Sequence, residues 1–162
     1  MKIYMGIDPG AKGAIVVINS KGILMEMFPL EFSRFYTYLN ALKRHDYDYD
    51  ELIIGVEKCQ AMRMGEKAQG AKSMFTYGTG YGKILGSLEV LEFAYTLISP
   101  QTWSKVIHAG TLPGKAKAKS LEAAKRLYPK IDFRATPRCK KEHDGFIDAR
   151  HIAEFLRRQY EK

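Results

Sequence analysis

Lys2-Ile3-Tyr4-Met5-Gly6-Ile7-Asp8-Pro9-Gly10 opens the chain as a short apolar stretch that ends on an acid. Its apolar residues read as a strand, and Pro9-Gly10 turns the chain at its exit. A second apolar run, Gly13-Ala14-Ile15-Val16-Val17-Ile18, follows at once and predicts a strand that pairs back on the first. A strand end of this kind holds a carboxylate rigidly. Asp8 is thus a ligand of a metal site if other acids meet it, and a turn residue if none do.

Outward from that hairpin, the pattern predicts strands at residues 3–8, 13–19 and 22–28, with Asn19-Ser20-Lys21-Gly22 as the turn between the latter two. Phe32, Phe35, Tyr36, Leu39 and Leu42 recur at helical spacing over residues 31–43. A continuous apolar run, Leu52-Ile53-Ile54-Gly55-Val56, then ends on Glu57 and suits a parallel strand covered on both faces. Residues 58–72 read as a basic loop and 73–92 as a helix, with Gly78, Gly82 and Gly86 in a smooth stripe. That stripe is open to two readings, close packing on the sheet or a subunit interface. The run Gly78-Thr79-Gly80-Tyr81-Gly82-Lys83 is not a phosphate loop, because Tyr77 replaces its first glycine and Ile84 follows the lysine. A fifth strand at 93–98, a short helix from Ser99, a basic helix over Lys119 to Leu127 and a last helix over 143–158 complete the order. The expectation is an α/β layered fold in one domain, residues 1–162.

Charge is unevenly spread. Residues 105–142 hold 11 Lys/Arg against 3 Asp/Glu, so the whole net +8 lies in that stretch and the remainder is neutral. Such a block reads as a footprint for phosphates, with a solvated lysine-rich surface as the plain alternative. Cys59 and Cys139 form no zinc-type pair, and no signal peptide or membrane span is visible, so a soluble intracellular protein with reduced cysteines is expected.

Four acids stand out by position: Asp8 and Glu57 at strand ends, and Asp144 and Asp148 one turn apart on the last helix. Clustered carboxylates repel unless a divalent cation neutralises them, and oxygen-only ligation suits Mg²⁺ or Mn²⁺. Two such ions would activate a water and stabilise the leaving oxygen of a phosphodiester.

The segments Gly6-Ile7-Asp8-Pro9-Gly10 with Gly13, Ile54-Gly55-Val56-Glu57, and His143-Asp144-Gly145-Phe146-Ile147-Asp148-Ala149 together resemble the RuvC-type Holliday-junction resolvases. The likeness is to their phage-type branch within the RNase H-like (retroviral integrase) superfamily, and it runs in order along almost the whole chain. It implies a three-layer fold around a five-stranded mixed sheet, three antiparallel strands followed by two parallel ones. It also implies a homodimer in a bacterial or phage-infected cytoplasm, nicking opposing strands of four-way DNA junctions with Mg²⁺ or Mn²⁺, two ions per site. By position, Asp8 matches the acid that bridges both metals, Glu57 the acid ending strand four, and Asp148 the last helix acid. Bacterial members place the remaining ligand three residues before the last acid, where this chain has Gly145. Asp144 lies four before and takes that role, with His143 as a further candidate.

Bacterial members also carry a wedging aromatic after the strand-four acid. Here the segment is Lys58-Cys59-Gln60-Ala61-Met62-Arg63-Met64, in which Met62 or Met64 could serve as an apolar wedge. Lys115, Lys117, Lys119, Lys125 and Arg126, with Arg63, Lys67 and Lys72 from the loop, are the expected phosphate contacts. One lysine near 115–119 is expected to stabilise transition-state charge. The rivals are a nuclease for flaps, forks or RNA–DNA hybrids, a binding-only junction protein motivated by Gly145, and an actin-like ATPase, for which the chain is short.

Overall fold

The computed structural model describes residues 1–59 and 70–161. Its elements run β1 (Lys2–Asp8), β2 (Ala14–Asn19), β3 (Leu24–Pro29), α1 (Phe32–Lys43), β4 (Glu51–Glu57) and α2 (Ala71–Val90). They continue with β5 (Tyr95–Ile98), α3 (Pro100–Ile107), α4 (Ala116–Leu127) and α5 (Asp144–Tyr160). The strands form one sheet in the order β3-β2-β1-β4-β5. The pairs β1–β2 and β2–β3 are antiparallel and β1–β4 is parallel, as the sequence pattern predicts, and β4–β5 is parallel, as the family resemblance implies.

β1 lies at the centre with both faces covered, and its side chains divide by parity. Ile3, Met5 and Ile7 join Val56, Phe35, Leu39, Ile84 and Leu88 under α1 and α2. Tyr4 joins Ile53, Trp103, Ile152 and Ala153 under α3, α4 and α5. Each buried aliphatic side chain contributes about 1.5–3 kcal/mol, so both layers favour the same register, and a slip by one residue would turn every side chain to the wrong face.

Helix α5 lies directly on the sheet because two glycines admit it. Gly6 and Gly55 are register partners on β1 and β4. A Cβ at Gly6 would overlap the Ala149 carbonyl oxygen and stand 2.6 Å from the Ala153 amide, while one at Gly55 would crowd Ile98, Ile152 and Leu156. The approach buries α5 almost continuously from Gly145 to Leu156. The Asn19 side chain organises the β2–β3 turn, accepting from the Lys21 and Ile23 amides at 3.0 Å each.

Two expected helix starts shift, and one open reading narrows. Helix α2 begins at Ala71, so Lys72 belongs to its first turn and not to the preceding loop. Helix α4 begins at Ala116, three residues before Lys119, because the alternating Lys-Ala stretch is itself a good helix former. The glycine stripe of α2 is not packed on the sheet. Positions where a Cβ would project from Gly78, Gly82 and Gly86 meet nothing within 4 Å among the described residues, while Ile84 and Leu88 face the core. Spacing by four aligns residues on a face without saying which face. Among the described residues, no helix is long and apolar enough to cross a membrane.

Candidate active site

Strand parity decides where the first two acids go. Ile7 pairs with Val56, so Asp8 and Glu57 leave the ends of neighbouring parallel strands side by side. Tyr4, Ile53 and Gly55 face α5, and the same alternation turns Asp8 and Glu57 to that side. Helix α5 brings Asp144 in its first turn and Asp148 one turn later. The four acids predicted from the sequence therefore meet at one end of the sheet.

Their electrostatics show the proximity. Burial pushes the Asp8 carboxyl up to about 7 against the pull of the Gly10 amide, and the charges of Glu57 and Asp144 raise it further. Asp148 is likewise pushed up to about 7, first by burial and then by the charge of Asp8, with the Ser120 hydroxyl and Lys117 opposing. Glu57 is raised by burial and by Asp148, with the Trp103 indole N–H opposing. Asp8, Glu57 and Asp148 thus each feel at least one other acid across strand and helix. Among the described residues, no three His, Cys, Asp or Glu side chains converge on a single point as a closed metal cage does. The donor chemistry nevertheless suits a hard divalent cation: the donors are carboxylate oxygens whose mutual repulsion a cation would relieve.

Each acid has its own support. The Gly10 amide donates to Asp8 Oδ1 at 3.0 Å, closing the turn after β1. Trp103 Nε1 on α3 donates to Glu57 Oε2 at 2.8 Å. The Ser120 hydroxyl on α4 donates to Asp148 Oδ1 at 2.9 Å. Asp144 is about half exposed and takes an ion pair from Lys117 Nζ at 2.6 Å. His143 is the N-cap of α5: its Nδ1 accepts from the Phe146 amide at 3.2 Å, and its ring packs on Phe146.

Gly145 has a packing explanation. A Cβ there would overlap the Lys12 carbonyl oxygen and stand 3.1 Å from Asp8 Oδ2. The start of α5 sits so tightly on the β1–β2 turn that no side chain, acidic or otherwise, fits at that position.

The basic candidates divide. Lys115 and Lys117 are exposed around the start of α4, and Lys119 is half-buried. Lys125 is exposed and lies 4.0 Å from Glu142. Arg126 has a structural use instead, donating to the carbonyls of Ala109 at 2.7 Å and Ile107 at 3.4 Å and so tying α4 to the end of α3. Arg63 and Lys67, with Met62 and Met64, lie outside the described residues.

Sequence reasoning passed over Trp103, Ser120 and Tyr77. Trp103 is the one tryptophan of the chain. Ser120 is a polar residue among the buried positions of a basic helix, beside Ala123 and Ala124. Those two were visible as oddities, though not as neighbours of Glu57 and Asp148. Tyr77 on α2 is raised by burial, by its hydrogen bond with Cys59, and by the charges of Glu57 and Asp8. Only the fold reveals its place beside the acids.

No protein-family model and no curated protein matches this sequence. Solved structures do match it in shape. The RuvC of T. thermophilus in complex with a Holliday junction substrate superposes with a TM-score of 0.61 at 16% identity, covering 99% of this chain and 97% of that one. A second Thermus thermophilus RuvC structure gives a TM-score of 0.53 at 20% identity, covering 97% and 96%. The fold is therefore RNase H-like, as in these RuvC structures, over essentially the whole chain.

Proposed function

We propose that this protein is a metal-dependent endodeoxyribonuclease that resolves four-way DNA junctions by nicking two opposing strands. The observation that carries this reading is the meeting of Asp8, Glu57, Asp144 and Asp148 at one end of the sheet, beside the basic start of α4. Asp8 would serve two Mg²⁺ or Mn²⁺ ions, Glu57 and Asp148 one each, with Asp144 supporting the second. Such ions, when bound, activate a water for attack and stabilise the leaving 3′-oxygen.

The chain's own residues do the positioning. The Gly10 amide and the side chains of Trp103 and Ser120 orient three of the carboxylates. Lys117, which pairs with Asp144 at the exposed start of α4, would meet a phosphate and offset its charge. Lys115, Lys119 and Lys125 would offer further contacts to the DNA backbone from α4 and its N-cap, and Lys72 from the first turn of α2. The solved complex of similar fold is named for a Holliday junction substrate, which favours a junction over a simple duplex. Symmetric nicking needs two sites, so the working unit is a homodimer. Its place is the cytoplasm of a bacterium or phage-infected host.

A synthetic four-way junction with Mg²⁺ should give paired nicks at symmetric positions. Asp8→Asn should lower the rate by more than about 100-fold, beyond what loss of a supporting residue costs. Cleavage that survives Asp8→Asn would overturn the assignment. A panel of flaps, forks and RNA–DNA hybrids separates the related nuclease readings. Tight junction binding without cleavage in Mg²⁺ or Mn²⁺ would favour a binding-only protein, although Gly145 no longer argues for one.

A further inference from the structure

Asp148 is held by a chain of polar groups that runs away from the site. Its Oδ1 accepts from the Ser120 hydroxyl at 2.9 Å, and His108 Nε2 lies 3.0 Å from the same hydroxyl oxygen. A hydroxyl has one proton, and an ionised carboxylate can only accept. In the ionised form of Asp148, the form that would bind a cation, that proton goes to Oδ1, so Ser120 can only accept from the imidazole and the His108 proton sits on Nε2.

The neighbouring imidazole is fixed by the same logic. His151 Nε2 faces the Ser120 carbonyl oxygen at 3.0 Å, and a carbonyl only accepts. Its Nδ1 is therefore free to accept from the Tyr128 hydroxyl at 3.1 Å.

The rings brace one another. Trp103 meets His108 edge-on with centroids 5.4 Å apart, and His108 meets His151 edge-on at 5.9 Å. Burial lowers both imidazoles, His151 to about 4, and so favours their neutral forms. The Trp103 ring that braces His108 is the one that donates to Glu57. Among the described residues, Asp148 Oδ2 takes no hydrogen bond.

We propose that His108, acting through Ser120, is a positioning residue for Asp148: it fixes the hydroxyl that holds Oδ1 and so presents Oδ2 to a divalent cation. The proposal rests on the metal-dependent reading above. Outer groups of this kind orient a ligand before the ion arrives, and their loss typically weakens binding about 10- to 100-fold.

Mn²⁺ binding to the DNA-free protein, followed by electron paramagnetic resonance, tests it beside junction cleavage, with thermal melts to report folding. Ser120→Ala should weaken Mn²⁺ binding about 10- to 100-fold. His108→Phe, which keeps the ring packing but loses the N–H, should weaken it in the same direction and by less. Ser120→Thr keeps the hydroxyl and His108→Gln keeps a donor, so each should recover most of the loss. A folded His108→Phe protein with unchanged Mn²⁺ affinity would overturn the proposal, whatever Ser120→Ala does, and so would a folded Ser120→Ala protein with unchanged affinity. So would equal losses in Ser120→Ala and Ser120→Thr, which would make the position a matter of packing. A folded wild-type protein that binds no Mn²⁺ would overturn the nuclease reading itself, and the positioning role with it.

Discussion

Asp148 and Glu154 lie six positions apart on α5, less than two turns, yet their carboxyls are driven in opposite directions. Asp148 has Asp8 and Asp144 as charged neighbours and is pushed up to about 7, burial being the largest cause. Burial would raise Glu154 as well, but hydrogen bonds from Arg157 and Arg158 and the charge of Arg150 outweigh it and bring it to about 2. The Glu154 cluster is closed. Arg157 Nη2 donates to it at 2.8 Å and Arg158 Nε at 2.9 Å, while Arg150 Nη1 lies 3.4 Å away with its guanidinium over the Tyr128 ring. Arg150 also donates to the Gly22 carbonyl at 3.0 Å, tying α5 to the β2–β3 turn. One end of the helix thus supplies its own cations and serves stability. The other withholds them, and its acids stay available for a cation from solution.

The largest expected effect separates the two ends directly. Glu154→Gln removes the carboxylate partner of the buried Arg150 guanidinium and should cost about 3–5 kcal/mol, read by denaturant unfolding. Asp148→Asn, by contrast, removes a charge that its neighbours oppose and should raise the melting temperature of the metal-free protein. If both variants destabilise alike, the contrast between the two ends is wrong.

Gly145→Asp, which installs an acid at the three-residue spacing, should cost about 1–3 kcal/mol because α5 must lift from the Lys12 carbonyl. Improved Mn²⁺ binding with an unchanged melting temperature would show that the contact is loose.

A pH series sharpens the same comparison. Asp8 and Asp148 titrate at about 7 in the folded chain against an ordinary 3.8, so the stability they contribute is whole below the lower value and lost as pH rises through the upper one. Glu154 titrates at about 2 against 4.5, so its contribution is whole above the ordinary value and lost as pH falls toward the lower one. In a chelator, the melting temperature of wild type relative to Asp148→Asn should therefore fall between about pH 4 and pH 7. Mg²⁺ should reverse that fall at neutral pH and do little in acid. A difference that does not move with pH would mean that Asp148 is not crowded by the other acids.

The smallest effect belongs to Lys117, whose side chain is largely exposed. Lys117→Ala should leave the melting temperature unchanged and lower the salt dependence of junction binding by about one unit of log–log slope. An unchanged slope would keep Lys117 off the DNA.

Much of this was legible in the chain itself. The apolar run before Asp8 and the one before Glu57 specify strands, and the period of two specifies which side chains share a face. The four-residue step from Asp144 to Asp148 puts both on one face of a helix. The element order followed from hydrophobic periodicity, which is a local property, and parity turned Asp8 and Glu57 to one side; the full mixed sheet followed only from the resemblance of the motifs to a known family.

What the chain could not declare were relations between residues far apart in sequence and set by backbone approach. The step that brings α5 to β1 is a pair of glycines whose missing side chains matter only once the helix lies on them. Gly145 looks like a lost ligand until the Lys12 carbonyl is seen above it. The stripe on α2 reads equally as packing or as an interface until the positions where its Cβ atoms would project are found to meet nothing among the described residues. Trp103, Ser120 and His108 gain meaning only from the packing of α3 and α4 on α5, which aims their hydrogen bonds at two of the acids. The sequence by itself determined the strands, the helices and the acids they carry, since each depends on near neighbours in the chain. The tertiary structure alone decided what supports those acids, since hydrogen bonds and steric exclusion depend on distances no local pattern records.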